Sequence, residues 1–324
     1  MRFTHIYVEE RAYGYPLTGI ILSGIPGAKV VTIRHYKDVF DRKRQDALLQ
    51  KEHQALIIAV RDGNRIFRGA PVCQSFGQKN FYYASSMMNC PFDCGYCYLK
   101  GMYPSSNMVV FVNLDDYRKD IEDKIKEGPM YVCASYDTDL MAMNSLTGHA
   151  DFWKEMAQTN GNLLVELRTK AAVDVTDNIS NVIYAFTLSP EEVVLRYERN
   201  TASVDARIKA AARALENGAK VRLCFDPVIR IPAWKDAYKE LIDKTVSYVD
   251  FSKLTDVSVG TFRISADYLT RMRRAYPDSE IAWYPYVIKD GVAQYAPDAD
   301  REMQEFVCGL LGKYTGMERI FTWN

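Results

Sequence analysis

The chain carries no net charge, because 41 Lys and Arg balance 41 Asp and Glu across its 324 residues. No global positive field therefore advertises a polyanionic partner, and any nucleic-acid site must be a local basic patch. No apolar run is long enough to span a bilayer. The opening Met1-Arg-Phe-Thr-His-Ile-Tyr7 lacks a signal-peptide core, so no membrane partner and a cytoplasmic location are expected. Histidine is scarce: the four residues His5, His35, His53 and His149 do not pair at metal-ligand spacing. Internal repeats and low-complexity tracts are also missing, which excludes solenoids and disordered arrays. What remains is a composition that is 48% hydrophobic, enough for one large α/β domain with a small appendage.

Seven cysteines, an odd number, argue against a disulfide framework. Three of them are clustered in Asn89-Cys-Pro-Phe-Asp-Cys-Gly-Tyr-Cys-Tyr98, giving C-x3-C-x2-C. Structural zinc wants four tetrahedral ligands, and the run offers one C-x2-C pair plus an outlying Cys90 with no histidine to complete it. Three thiolates suit three irons of a [4Fe–4S] cube and leave the fourth iron open to bind a small molecule and pass it one electron. Cys90, Cys94 and Cys97 are accordingly the metal ligands expected here. Such chemistry calls for a reducing partner such as flavodoxin or ferredoxin.

Short β-rich runs alternate with amphipathic stretches. Strands are expected over Lys29–Ile33, Ala55–Val60, Phe81–Ala84, Met108–Val112, Met130–Ala134, Leu163–Leu167, Val182–Leu188, Val221–Phe225 and Val257–Phe262. Helices are expected over Leu114–Lys126, Asp151–Gln158, Ala202–Asn217, Trp234–Val246, Ala266–Ala275 and Ala299–Tyr314. The alternation predicts an α/β fold with a parallel sheet. Its roughly six units fit a partial (β/α)6 TIM-like barrel rather than a full one. The expected division is an N-terminal α/β cap over residues 1–80, the partial barrel over 81–275, and a C-terminal hairpin and closing helix over 276–324. Lys289-Asp-Gly291 reads as the hairpin turn. In such sheets chemistry gathers where strands end. The cysteine loop, Asp137-Thr-Asp139, Arg168 with Lys170, and Thr187 with Ser189 all follow strands on one rim.

C-x3-C-x2-C followed by an aromatic residue resembles the signature of the radical S-adenosylmethionine superfamily, in which partial (β/α)6 barrels are usual. A closer resemblance covers most of the chain. Cys94-Gly-Tyr-Cys-Tyr-Leu99 is similar to the C-x-Y-C-Y-L of spore photoproduct lyases. In order along the chain, Ala12-Tyr-Gly-Tyr-Pro16, Asp137–Thr147 with Thr138-Asp139 at an S-D pair, Thr169-Lys170, Asp205-Ala-Arg-Ile208, and Arg263 followed by Ala275-Tyr-Pro277 resemble further segments of that family. The resemblance implies a DNA-repair lyase acting on 5-thyminyl-5,6-dihydrothymine. A radical generated from S-adenosylmethionine at the [4Fe–4S] cluster removes hydrogen from C6. The bridging C–C bond then breaks by β-scission, and a cysteine thiol returns a hydrogen atom. A tyrosine relay then carries the radical back.

The resemblance further implies roles for individual residues. Tyr98 would lie near the adenine and Tyr96 in the relay. Lys170, Thr138, Thr187 and Ser189 would contact the cofactor. Arg263 matches the family's arginine, with Arg271, Arg273 and Arg274 on the following helix and Lys289 on the hairpin as further DNA contacts; Tyr286 and Tyr295 would wedge the duplex. A lesion inside a duplex must be flipped out to reach a buried site, so damaged DNA is the expected partner, held through its phosphates. At the loop position that carries the family's donor cysteine this chain has Tyr136. Cys73, on a loop leading into the first barrel strand, is favoured in its place over Tyr136 itself, whose O–H is a poorer quencher of an allyl radical, and over Cys133, which strand parity puts on the face opposite Tyr136. Cys224 and Cys308 read as buried small hydrophobes. Another enzyme of the same superfamily with a different substrate, or a non-catalytic metal- or DNA-binding module, are the alternatives.

Overall fold

Six parallel strands form the heart of the molecule: Phe81–Ala84, Met130–Cys133, Leu163–Thr169, Val182–Thr187, Lys220–Val228 and Asp256–Thr261, adjacent in that order. The computed structural model describes residues 3–70 and 73–322. Every residue of Val182–Thr187 is buried, as expected of a strand covered on both faces by crossovers. Helices His149–Thr159, Val204–Glu216 and Trp234–Tyr248 lie between successive strands. Ser203 starts the second of these by accepting the N–H of Ala206 at 3.3 Å. The sheet is an open arc, a partial TIM-like barrel. Its last strand is extended by parallel Ile320–Thr322, and antiparallel Ile66–Arg68 flanks the first. Among the described residues no helix is long and apolar enough to cross a membrane.

A second sheet has the order Lys29–Ile33, His5–Glu9, Leu56–Ala59, Met108–Phe111, Met87–Met88. Here the sequence reading needs correction. Met108–Phe111, expected in the barrel, pairs in parallel with Leu56–Ala59, whereas Ile66–Arg68, from the expected cap, edges the barrel sheet. The two sheets thus exchange strands across residue 80, and one continuous apolar core runs through both. All four residues of Met108–Phe111 are buried, and a run buried on both faces carries no mark of which parallel sheet it joins. The C-terminal hairpin pairs Val287–Lys289 with Val292–Gln294 and adds Arg263–Ser265 as a third strand. Asp290 and Gly291 make its turn with φ of +50° and +78°, the two positive values that a tight hairpin asks for. The closing helix is Pro297–Leu311, earlier by a few residues than the apolar pattern indicated, because Pro297 begins it.

The concave interior holds charge. Arg222, almost fully buried, donates to Tyr131 Oη at 2.7 Å and to Asp256 Oδ2 at 2.8 Å, and is also paired with Glu166. The Phe76 ring lies 3.3 Å from its guanidinium carbon. Arg168 Nε donates to Glu166 Oε1 at 3.1 Å. Burial alone would raise the Glu166 carboxyl, but Arg168 and Arg222 outweigh it and hold the group down to about 2. A carboxyl depressed in the folded state contributes stability that is complete above its ordinary value near 4.5 and is lost as pH falls toward 2. Glu166→Gln should cost about 3 kcal/mol at neutral pH and flatten the stability profile between pH 4.5 and 2, as read by denaturant unfolding across that range. An unchanged profile in the variant would show that Glu166 is not the titrating group.

Candidate active site

The cysteine loop is anchored from both sheets. Asn89 turns it with a left-handed φ of +62°, and its Nδ2 donates to Ser105 O and Asn107 O, each at 2.7 Å. Lys51 Nζ and Gln54 Nε2 donate to Cys90 O at 2.6 and 3.1 Å. Asp93–Cys94 pairs antiparallel with Glu198–Arg199, and Gly95 N–H meets Tyr197 O at 2.6 Å. Cys97 N–H returns to Cys94 O at 3.1 Å. So fixed, Cys90 and Cys97 line one recess beside Asn89, Phe92 and Lys51, with Cys94 buried. All three are free thiols. Burial pushes Cys90 up to about 12 and raises Cys94 and Cys97 as well, so a bare thiolate is disfavoured until a cation compensates it. Among the described residues no three His, Cys, Asp or Glu side chains gather as they would around a single ion. A cube instead spreads three thiolates over three irons, and an all-sulfur donor set suits it.

The strand-end rim beside the loop carries the residues expected to face a cofactor. Thr138 Oγ1 and Thr187 Oγ1, together with Ser135 Oγ, are buried with no hydrogen-bond partner among the described residues. Buried hydroxyls without partners are costly and mark a place where a polar ligand completes the structure. Lys170 Nζ lies 5.5 Å from the centre of the Tyr96 ring. Asp139 has no chemistry of its own: it caps helix Leu140–Thr147 and accepts from Thr169 Oγ1 at 2.9 Å and the Lys170 N–H at 2.8 Å, which fixes the end of that strand. Ser189 Oγ donates to Glu198 Oε1 at 2.8 Å.

Glu198 is the residue the sequence reading missed. Buried, it accepts from Tyr96 Oη, Ser189 Oγ and, at 2.6 Å, Arg207 Nη2. Burial would raise it, but Lys170 and Arg207 keep it below the ordinary carboxylate range. Arg207 also donates to Thr187 O at 3.1 Å. Asp205-Ala-Arg-Ile208 had been noticed for its family likeness, and its arginine was the available signal for a buried acidic partner.

Tyr96 and Tyr98 lead in different directions. Tyr96 faces Glu198, whereas Tyr98 Oη donates to the Tyr136 carbonyl at 2.5 Å, with ring centres 5.6 Å apart. The Tyr136 ring stacks on Tyr83 at 4.3 Å, and its hydroxyl meets Cys73 Sγ at 3.3 Å. Cys133 Sγ instead turns to Glu166 Oε1 at 3.5 Å, in the interior charge network. Arg263 is half-buried beside this group. Desolvation lowers its pKa, while the charges of Asp226, Cys73 and Tyr136 act to raise it.

The expected DNA contacts are more dispersed. Arg271 donates to Gly101 O at 3.3 Å and Arg273 to Ala282 O at 2.7 Å, so both are tied to the chain itself. Arg274 and Lys289 are exposed. Tyr295 is no wedge: it is 1% exposed, its hydroxyl accepts the Arg230 N–H at 3.0 Å, and Tyr284 and Tyr286 pack around it. On the hairpin Val287 and Ile288 are exposed apolar side chains, Ile288 the more so at 66%.

Comparison with known proteins gives one consistent family. The family model described as Spore photoproduct lyase matches residues 4–282. A spore photoproduct lyase of Geobacillus sp. (strain Y412MC61) is 24% identical over 248 residues, covering 69% of this chain and 71% of the relative. That of Bacillus subtilis (strain 168) is 22% identical over 257 residues, covering 74% and 71%. Two solved structures share the fold. A spore photoproduct lyase complexed with dinucleoside spore photoproduct has a TM-score of 0.82 at 18% identity, covering 99% of this chain and 98% of that one. A mutant lyase with bound AdoMet and the same dinucleoside has a TM-score of 0.83 at 19% identity, with the same coverage.

Gly101 sets how closely the loop docks. A Cβ there would lie 2.1 Å from the Tyr268 backbone oxygen, on the helix Ala266–Ala275. Gly101→Ala should therefore cost about 1–3 kcal/mol of stability, and lower the iron bound per chain after anaerobic reconstitution. A variant matching the parent in both melting temperature and iron content would show that the two helices separate freely.

Proposed function

This chain belongs to the spore photoproduct lyase family, and on that premise we propose that it splits 5-thyminyl-5,6-dihydrothymine in damaged DNA back to two thymines. The observation that carries the reading is that the three-thiol loop and the unpartnered hydroxyls of Thr138 and Thr187 lie at strand ends, where Tyr136 also meets a fourth thiol, Cys73. Cys90, Cys94 and Cys97 would hold a [4Fe–4S] cluster. Thr138, Thr187, Ser189 and Lys170 would take S-adenosylmethionine, with Lys170 as the point charge for its carboxylate. Bound there, the two groups supply a hydrogen abstractor for C6 of the saturated thymine.

This chain's own residues do the rest. The rim excludes water from the reacting carbon. After β-scission, Cys73 gives its S–H hydrogen to the thymine radical, and Tyr98 and Tyr96 carry the radical back toward the cofactor. Tyr96 is suited to this by its hydrogen bond to the Glu198 carboxylate, a base that can hold the phenolic proton as the ring is oxidised. Arg274 and Lys289, with Arg271 likewise exposed, are the cations for backbone phosphates. Arg271 and Arg273 fix the helix that presents them, and Arg263, inside, faces the reacting site. The electron enters from a small reducing protein such as a flavodoxin or ferredoxin.

The anaerobically reconstituted, reduced protein should convert a synthetic dinucleoside spore photoproduct to two thymines. An intact cluster with no conversion would overturn the reading. In the Cys73→Ala variant, lesion cleavage should persist while aborted products replace thymine; an unchanged thymine yield would remove Cys73 from the donor role. Thr187→Val should raise the melting temperature of the ligand-free chain, because it removes an unpartnered buried hydroxyl worth about 1–3 kcal/mol, yet weaken S-adenosylmethionine binding in a calorimetric titration. Equal affinity in the variant would place the cofactor elsewhere.

A further inference from the structure

We infer that Tyr136 is a further catalytic residue, which returns a hydrogen atom to the Cys73 sulfur after each repair and so begins the passage of the radical toward Tyr98. The inference rests on Cys73 as the hydrogen donor and extends it by one residue.

The geometry is specific. Tyr136 Oη is 3.3 Å from Cys73 Sγ, within reach of direct hydrogen transfer along an existing hydrogen bond. The Tyr136 ring is held by its stack on Tyr83 at 4.3 Å. Its carbonyl accepts the Tyr98 hydroxyl, and the two rings are 5.6 Å apart. Tyr98 directly follows the cluster ligand Cys97. Tyr136 thus bridges a thiol on one side of the rim and the cysteine loop on the other. Burial raises its phenol, with Cys73 as the next cause, so the ring keeps the hydrogen it must give. Cys133 Sγ is instead turned to Glu166 Oε1 at 3.5 Å.

The exchange balances without an added reagent. When the thymine radical takes hydrogen, a C–H bond forms and the Cys73 S–H bond breaks, leaving a sulfur-centred radical. The Tyr136 O–H bond then breaks as the S–H bond re-forms, one proton and one electron moving together, and the radical rests on the Tyr136 ring. S–H and phenolic O–H bonds are of similar strength, so neither step is a trap. Onward transfer restores the Tyr136 O–H bond and breaks that of Tyr98, entering the relay assigned above.

The test uses the full-length, cluster-loaded protein with the dinucleoside lesion and follows S-adenosylmethionine consumed per thymine pair formed. Tyr136→Phe should raise that ratio several-fold, because a stranded sulfur radical ends reuse of the cofactor. A ratio equal to the parent's would overturn the inference. With 3-aminotyrosine placed at position 136, which keeps the ring and hydroxyl and traps a radical, an electron paramagnetic resonance signal of the aminotyrosyl radical should appear during turnover. Continued repair with no such signal would count decisively against it. Cys73→Ala separates the two claims. Aborted products there together with an unaffected Tyr136→Phe ratio would remove Tyr136 alone, whereas normal thymine from Cys73→Ala would remove the donor assignment beneath it.

Discussion

An open sheet does not close its own interior as a full eight-fold barrel does with stacked apolar side chains, and here the ion network around Arg222 ties its strands together instead. Tyr131, Glu166, Arg222 and Asp256 come from four strands of the sheet and meet on its concave side. Desolvating such groups is expensive, and their attraction repays it only with good geometry and satisfied hydrogen bonds. Glu166 meets that condition by taking Arg168, Arg222, Tyr131 and the Cys133 thiol together. Removing any one member leaves a buried charge short of partners, so the network resists slippage of one strand past the next. Strand register in turn sets the height at which each strand ends, and the rim with all its chemistry depends on those heights.

The same alternation that sends Tyr131 and Cys133 into this network sends other residues elsewhere. Arg168 shows the link between the two levels. It holds Glu166 in the interior and reaches across Val182–Thr187 to Asp226 at 3.4 Å, two strands away, and Asp226 is one of the charges acting on Arg263 beside Cys73. Charge is therefore continuous from the interior to the reacting group. At the rim, Glu198 plays the corresponding part, gathering Tyr96, Ser189 and Arg207 so that the cysteine loop, paired through Glu198–Arg199, is held against the strand ends.

How much of this was legible in the sequence depended on whether the signal was local. The cysteine loop was fully legible, because its chemistry is written in ten consecutive residues. Strands such as Lys29–Ile33 and helices such as Ala266–Ala275 matched residue for residue, since their apolar periods are strong. The sheet to which Met108–Phe111 belongs was not legible: a strand buried on both faces has no polar side to declare its neighbour. Tyr295 read as an exposed aromatic on a hairpin, but its hydroxyl finds the Arg230 N–H, 65 residues away in sequence. Glu198 was invisible for the same reason, being functional only through Tyr96 and Arg207, which reach it from separate elements. Cys73 is favoured from the sequence by strand parity and by the poorer quenching of a phenol, and only the fold brings it to Tyr136.

That meeting gives the proposed donor role of Cys73 its structural basis: a thiol reaches Tyr136 from another part of the chain. The family likeness puts a donor cysteine where this protein has Tyr136, while here the free thiol comes from the loop before the first barrel strand. The two positions lie 63 residues apart in sequence but 3.3 Å apart in space. A reaction that needs an S–H bond at one point in the pocket fixes that point, not the residue number that reaches it. Once the thiol arrives from another loop, its old position is free, but that position is also in contact with Tyr98. Filling it with a phenol keeps an unbroken line of weak X–H bonds from thiol to cysteine loop. An aliphatic residue there would leave the thiol in place and cut the line. On this argument the tyrosine is the counterpart of the displaced cysteine, and the pair divides between two side chains what one cysteine would otherwise do alone.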